Sequence, residues 1–247
     1  MIATIAHKEL KALYSTPLAW IILGLLQALV AWLFLARLNE FLAFQPQLAR
    51  LANPPGITEI IVAPAFAAAA VVLLLATPLL SMRLIAEERR NQTLAFLLSA
   101  PLTMTEIVLG KFLGLFTFLL VIVGMTALLA LSLYLGGALD IGLLLSNCLG
   151  LALLCAAFAA VGLFVSSLTA QPVTAAFGTL AALLACWLIT IAATEADSPL
   201  NMLSLLKHFE SFNKGIIDTA DLAWFTLFTL AFLVLTIRRL DRDRLHG

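Results

Sequence analysis

The residues able to do chemistry are few in this sequence, and the densest group is Arg83-Leu-Ile-Ala-Glu-Glu-Arg-Arg90. Adjacent carboxylates such as Glu87 and Glu88 can serve as acid and base. A Glu-Glu pair followed at fixed spacing by Arg marks one class of intramembrane protease. Here Gln92 stands at the required Arg position, and no histidine falls in an apolar run. Gly110-Lys111 is the one Gly-Lys pair. A phosphate-cradling loop needs G-x-x-x-x-G-K-[ST], so that backbone amides hold phosphate and the hydroxyl holds magnesium. Thr105 occupies the first glycine position and Phe112 follows the lysine, so no nucleotide site is expected. His7, His208 and His246 lack the H-E-x-x-H context of a zinc protease. Ser166-Ser167 has no basic partner nearby in sequence, and serines near the end of an apolar helix usually bond backbone or pack helices. The expectation is a chain with no catalytic residue, no metal site and no cofactor of its own.

Composition says what positions these residues. Hydrophobic residues make up 63% of the 247 and charged residues 11%, against about 25% charged in an ordinary soluble domain. Mean hydropathy is +1.09. A globule of this size cannot hide so much apolar surface. The reading is an all-α polytopic membrane protein. Lys+Arg 14 balances Asp+Glu 14, which leaves no basic surplus for nucleic acid. Cys148, Cys155 and Cys186 lie in apolar stretches and read as packing residues; the first two, seven apart on one helix, stand about 10 Å apart, too far to bridge.

A crossing takes about 20 mainly apolar residues, and six stretches qualify: 17–38, 60–85, 106–135, 140–167, 172–194 and 222–237. The first is too long for a cleavable leader's apolar core. Ten Lys/Arg (Lys8, Lys11, Arg83, Arg89, Arg90, Lys111, Arg238, Arg239, Arg242, Arg244) fall on the side of the termini and four (Arg37, Arg50, Lys207, Lys214) on the other. That bias predicts both termini in the cytoplasm. Residues 1–16 form an interfacial amphipathic helix, with Ile2, Ile5, Leu10, Leu13 and Tyr14 on one half, Lys8 and Lys11 facing lipid phosphate, and Glu9 misplaced on the apolar side. Residues 17–247 form the six-helix domain.

Lys111, close to a span end, is expected to snorkel. Pro46, Pro54, Pro55 and Gly56 predict an irregular loop between spans one and two. Pro78, inside span two, predicts a kink and a candidate hinge. In the outer loop, about 195–221, Ser198-Pro199 reads as a helix start, Met202, Leu203, Leu206, Phe209 and Phe212 as a helical stripe, and Gly215 as its stop. That helix should lie at the interface or dip back into the membrane. Gly110-x-x-x-Gly114 and Ala156-x-x-x-Ala160 permit close helix contacts.

The charge cluster runs into an apolar face, Leu94, Phe96, Leu97 and Leu98, too short to span, and Pro101 ends it. Ile85-Ala-Glu-Glu-Arg-Arg-Asn-Gln-Thr-Leu-Ala-Phe-Leu-Leu-Ser-Ala-Pro101 with Glu106-Ile-Val-Leu-Gly-Lys111-Phe-Leu-Gly114 resembles the coupling-helix region of ABC-2 type transporter permeases. His7-Lys-Glu-Leu-Lys-Ala-Leu-Tyr-Ser-Thr-Pro17-Leu-Ala-Trp20 is similar to that family's opening. Lys207-His-Phe-Glu-Ser-Phe-Asn-Lys-Gly215-Ile-Ile-Asp218 is similar to its gliding-motility (GldF-like) branch. Where the family pattern has Gly before Thr93 and an acid after Leu94, this chain has Gln92 and Ala95.

The resemblance implies a type V exporter-like permease fold of six spans in the bacterial cytoplasmic (inner) membrane. It implies a homodimer, or pairing with a related permease. It further implies separate cytoplasmic ATPase subunits carrying ATP and Mg, and an auxiliary protein with a large extracytoplasmic domain. A coupling helix at about 86–100 would dock on the ATPase, with Glu87, Glu88, Arg89 and Arg90 setting register and Leu94, Phe96 and Leu97 buried at the contact. Two functions are open: moving a substrate out of the cytoplasm or inner leaflet, or anchoring an ATPase-driven assembly that transmits force without transport.

Overall fold

The computed structural model describes residues 1–48, 56–93, 102–135, 139–192 and 204–246. Among the described residues nine α-helices follow in order: α1 (Ile2–Ser15), α2 (Pro17–Leu48), α3 (Ala63–Ser81), α4 (Ala86–Arg90), α5 (Met104–Leu131), α6 (Ile141–Leu168), α7 (Pro172–Ala192), α8 (Leu205–Asn213) and α9 (Thr219–His246). A π-helical turn, Thr58–Val62, precedes α3, and a 3-10 turn, Ser132–Leu135, follows α5. Among the described residues there is no strand. Among the described residues six helical stretches are long and apolar enough to cross a membrane: Pro17–Pro46, Thr58–Arg90, Met104–Leu135, Ile141–Leu168, Pro172–Ile189 and Thr219–Arg244. Their lipid-facing sides carry exposed apolar residues such as Leu25, Trp32, Leu75, Leu128, Leu145, Phe177 and Leu227, as expected where the solvent is hydrocarbon.

The first helix break follows from local chemistry. Thr16 precedes proline, is therefore pushed out of the helical region, and adopts φ −93°, ψ 130°. Pro17 then opens α2, where its missing N–H costs nothing. Trp20 of α2 donates its indole N–H to the Tyr14 carbonyl at 2.8 Å, and the Tyr14 ring packs on Trp20 and Phe118. These contacts fix the angle between α1, α2 and α5.

Helix α2 departs from the expected irregular loop. It continues past residue 38 to Leu48 and includes Pro46. At about 1.5 Å per residue its 32 residues outrun a hydrocarbon core of about 30 Å, so its last turns stand outside the core, where water can satisfy the carbonyl that proline strands. Pro54 and Pro55 lie outside the described residues. Helix α5 starts with a reciprocal cap missed in the sequence: Thr103 Oγ1 accepts from the Glu106 amide, and Glu106 Oε2 accepts from the Thr103 amide, the S/T-x-x-E box.

Helix α6 is the axis of the bundle and touches α3, α5, α7, α8 and α9. Small buried residues allow this: Ala157, Ala159, Ala160 and Gly162 leave room for neighbours. A Cβ added at Gly162 would lie 2.5 Å from Ser81 Cβ of α3. Cys155 is buried in this core, Cys148 and Cys186 are half-buried, and all three are free thiols. Pro78 is buried inside α3.

Candidate functional site

The polar residues of an apolar chain gather at the face that carries both termini, around the five-residue helix α4. Each tie begins with a feature readable in sequence. On α5, Gly110 and Gly114 stand four apart and present one bare stripe. On α1, Ile5 and Glu9 also stand four apart. A Cβ at Gly110 would meet Ile5 at 2.6 Å, and one at Gly114 would meet the Glu9 Cβ at 2.7 Å. The two helices interlock through these pairs, so the apolar stripe of α1 is spent on α5 and not on lipid alone. The same interlock sets Glu9 beside Lys111.

Lys111 does not snorkel. It is 1% exposed, and its Nζ lies 2.9 Å from Glu9 Oε1 and 2.7 Å from Glu88 Oε1. Burying an ammonium costs several kcal/mol unless it is paired and hydrogen-bonded, and here two carboxylates from two other elements do that. Glu9, the misfit on the α1 wheel, is thereby explained: it is the buried residue of that helix. Lys111 lies inside a helix and holds carboxylates, an arrangement unlike a phosphate loop.

The other end of α4 is tied as well. Arg89 pairs with Asp243 of α9, and Arg239 approaches the same aspartate at 3.6 Å. At the N-terminus of α4, Ser166 Oγ of α6 accepts from the amides of Ile85 at 3.2 Å and Ala86 at 3.1 Å and donates to the Met82 carbonyl at 3.1 Å. Two donors that a helix start leaves orphaned are met by one serine. Ser166 is thus a backbone-bonding residue, as its setting suggested. Lys111, Ser166 and Asp243 bind α4 to α5, α6 and α9, and Lys111 links it onward to Glu9 of α1.

Sequence reasoning put Glu87, Glu88, Arg89 and Arg90 on one docking surface. The structure divides them. Glu88 and Arg89 turn inward and are consumed in the ties above, while Arg90 is exposed and Glu87 half-exposed. The helix expected over 86–100 is also shorter. It ends at Arg90, and Gln92 adopts a left-handed φ of 57°. Gln92 N–H donates to the Arg89 carbonyl at 3.2 Å and Thr93 N–H to the Glu88 carbonyl at 3.0 Å, the paired bonds of a helix stop that favours glycine. The family's Gly at this place has a physical reason, and this chain meets it with glutamine. Leu94, Phe96 and Leu97 lie outside the described residues. Beside α4, a cleft of about 310 Å³ opens between α1 and the end of α3.

At the opposite face the outer loop contributes α8. Ser204 caps it, accepting from the Lys207 amide at 3.2 Å; Ser198, Pro199, Met202 and Leu203 lie outside the described residues. Gly215, φ 81°, ends it with the same bond pair, Gly215 N–H to Phe212 and Ile216 N–H to Ser211. Phe209 and Phe212 are buried, and Gly150 of α6 makes room, since a Cβ there would lie 2.5 Å from Phe212 Cβ. Gly150 is about 13 Å along α6 from Ile141, so α8 dips below the outer end of that span. Ser146 donates to the Phe212 carbonyl at 2.8 Å. His208 Nδ1 lies 2.5 Å from Asp221 Oδ1, and its ring stacks on Trp224 at 4.4 Å.

Six candidate crossings among the described residues, with an interlocked amphipathic N-terminal helix and a polar hub on the face of the termini, describe a multi-pass membrane protein. A family model described as ABC-2 family transporter protein matches residues 3–245. The chain belongs to the ABC-2 family of transporter membrane proteins. No curated protein matches the sequence.

Proposed function

We propose that this chain is the permease subunit of an ATP-binding-cassette exporter, moved by separate cytoplasmic ATPase subunits that dock on the face carrying the termini. The observation that carries this reading is the anchoring of α4. A push on the 83–97 segment cannot be absorbed locally, because Glu88, Arg89 and the amides of Ile85 and Ala86 are bonded to three other helices, α5, α9 and α6. Such a hub converts a small displacement into movement of the bundle. Glu87 and Arg90 remain outward to set register, and Leu94, Phe96 and Leu97 supply the apolar contact. Pro78, about two turns before the hub, is the hinge. ATP and Mg belong to the partner.

In this reading the termini are cytoplasmic, the membrane is the bacterial inner membrane, and two copies, or this chain and a related permease, form the pathway. The 207–218 block, which builds α8, supports the gliding-motility branch and an extracytoplasmic auxiliary protein seated over it. Leu94→Asp or Phe96→Asp should insert normally yet lose ATPase binding, because a charge would be buried at the contact. Normal ATPase association and turnover in these variants would remove the segment from the mechanism. A cysteine replacing Lys214, 69% exposed in its side chain, should label from outside the cell, and one replacing Gln92 only from inside; the reverse pattern overturns the topology. Substrate-stimulated ATP turnover in liposomes separates export from force transmission.

A further inference from the structure

The cleft between α1 and the end of α3 shares Arg83 and Glu87 with the coupling segment, and its lining is graded. At one end are Leu18, Leu79 and Leu80, from the start of α2 and the last turns of α3. Both helices are membrane crossings, so this end meets acyl chains. Leu79 is left 41% exposed there. At the other end are Lys8, Arg83 and Glu87. Their pairings are loose: Lys8 Nζ is 4.0 Å from Glu9, and Arg83 Nε is 3.9 Å from Glu87, with the Lys8 side chain 68% exposed and the Arg83 and Glu87 side chains 45% and 46% exposed. Exposed pairs of this kind hold little energy and exchange readily for a better partner. Glu9 and Glu88 also line the cleft, but Lys111 already answers both.

What remains is two cations and one carboxylate above an apolar wall at the depth of an interfacial helix. A volume of about 310 Å³ lies at the small end of ligand sites, about 300–1,000 Å³. It takes a headgroup and upper chains and leaves the tails in the bilayer. We infer that this cleft binds a zwitterionic phospholipid of the surrounding leaflet, its phosphate between Lys8 and Arg83, its ammonium toward Glu87 and its first methylenes against Leu79 and Leu18. A soluble protein segment arriving from the aqueous side would have no use for the leucine end.

The test is photolabelling of the full chain reconstituted in liposomes, with phosphatidylethanolamine carrying a diazirine high in one acyl chain. Adducts should concentrate in residues 13–18 and 79–84. Excess unlabelled phosphatidylethanolamine should suppress them, and glycerophosphoethanolamine, which lacks chains, should not. Ala12→Phe, which fills the cleft without touching charge, and the double variant Lys8→Glu with Arg83→Glu, which turns both phosphate partners into repelling carboxylates, should each lower labelling about ten-fold or more. Leu79→Trp serves in place of Ala12→Phe if the latter does not elute as a folded species. Adducts spread evenly over the lipid-facing helices, or unchanged in these variants, overturn the inference. Suppression by glycerophosphoethanolamine as strong as by the lipid would mean a site for a free phosphate ester, and equal suppression by phosphatidylglycerol would remove the role of Glu87; either result refutes the assignment. No nucleotide or ATPase enters the experiment, so its outcome is independent of the coupling reading.

Discussion

The two faces of the molecule hold a short helix in opposite ways. At the terminal face α4 is held by ions: Lys111 between Glu9 and Glu88, and Arg89 on Asp243. At the other face α8 is held mainly by shape: Phe209 and Phe212 sit in the space left by Gly150, with Ser146 on a carbonyl and one tie to a carboxylate, His208 on Asp221. Ion pairs tolerate a change of partner, whereas a phenyl ring wedged against a missing Cβ does not slide. The comparison teaches where movement is permitted. In the coupling reading proposed above, the ionic end is the one a partner acts on, and the packed end keeps its seat.

Substitutions can break or sharpen this contrast. The largest effect is expected for Lys111→Met, which leaves two carboxylates facing each other without a cation; losing one partner of a buried pair costs about 3–5 kcal/mol. The check is the thermal midpoint of the purified protein, and a midpoint equal to wild type would show that the hub carries no stability. Adding Glu9→Gln and Glu88→Gln to it should restore much of the loss. Gly150→Leu comes next. It drives a side chain into Phe212 and should cost about 1–3 kcal/mol by overpacking, with Lys214→Cys in the same chain becoming faster to label if α8 is lifted from its seat. Ser166→Ala strands the Ile85 and Ala86 amides and should cost about 1–2 kcal/mol, read in the same melt, with ATPase stimulation falling further than stability does.

Much of this was legible in the chain and some was not. The crossings were readable because hydrocarbon demands long apolar runs, and Gly215 was readable as a stop because a left-handed φ favours glycine. The hub was visible only as two unrelated oddities, a carboxylate on the wrong side of α1 and a lysine near a span end. Glu9 and Lys111 stand 102 positions apart, and neither residue's spacing announces the other. The bare stripe of Gly110 and Gly114 was the available clue, since it says that something packs there, though not that α1 does. The early stop of α4 was hidden because glutamine gives no sign of a positive φ; the departure from the family's glycine was the signal.

The smallest expected effect tests that last point. Gln92→Gly relieves a left-handed glutamine and should stabilise by about 0.5–1 kcal/mol, seen as a slightly raised melting midpoint. No change, or a fall, would mean that the Gln92 side chain repays its own strain.

The tie between Arg89 and Asp243 also sets an order in time. A ribosome delivers Asp243 154 positions after Arg89, so the knot around α4 cannot be finished until α9 has been made. A copy that still lacked α9 would hold Arg89 without this carboxylate, and the helix that Arg89 belongs to would be tied at one end fewer.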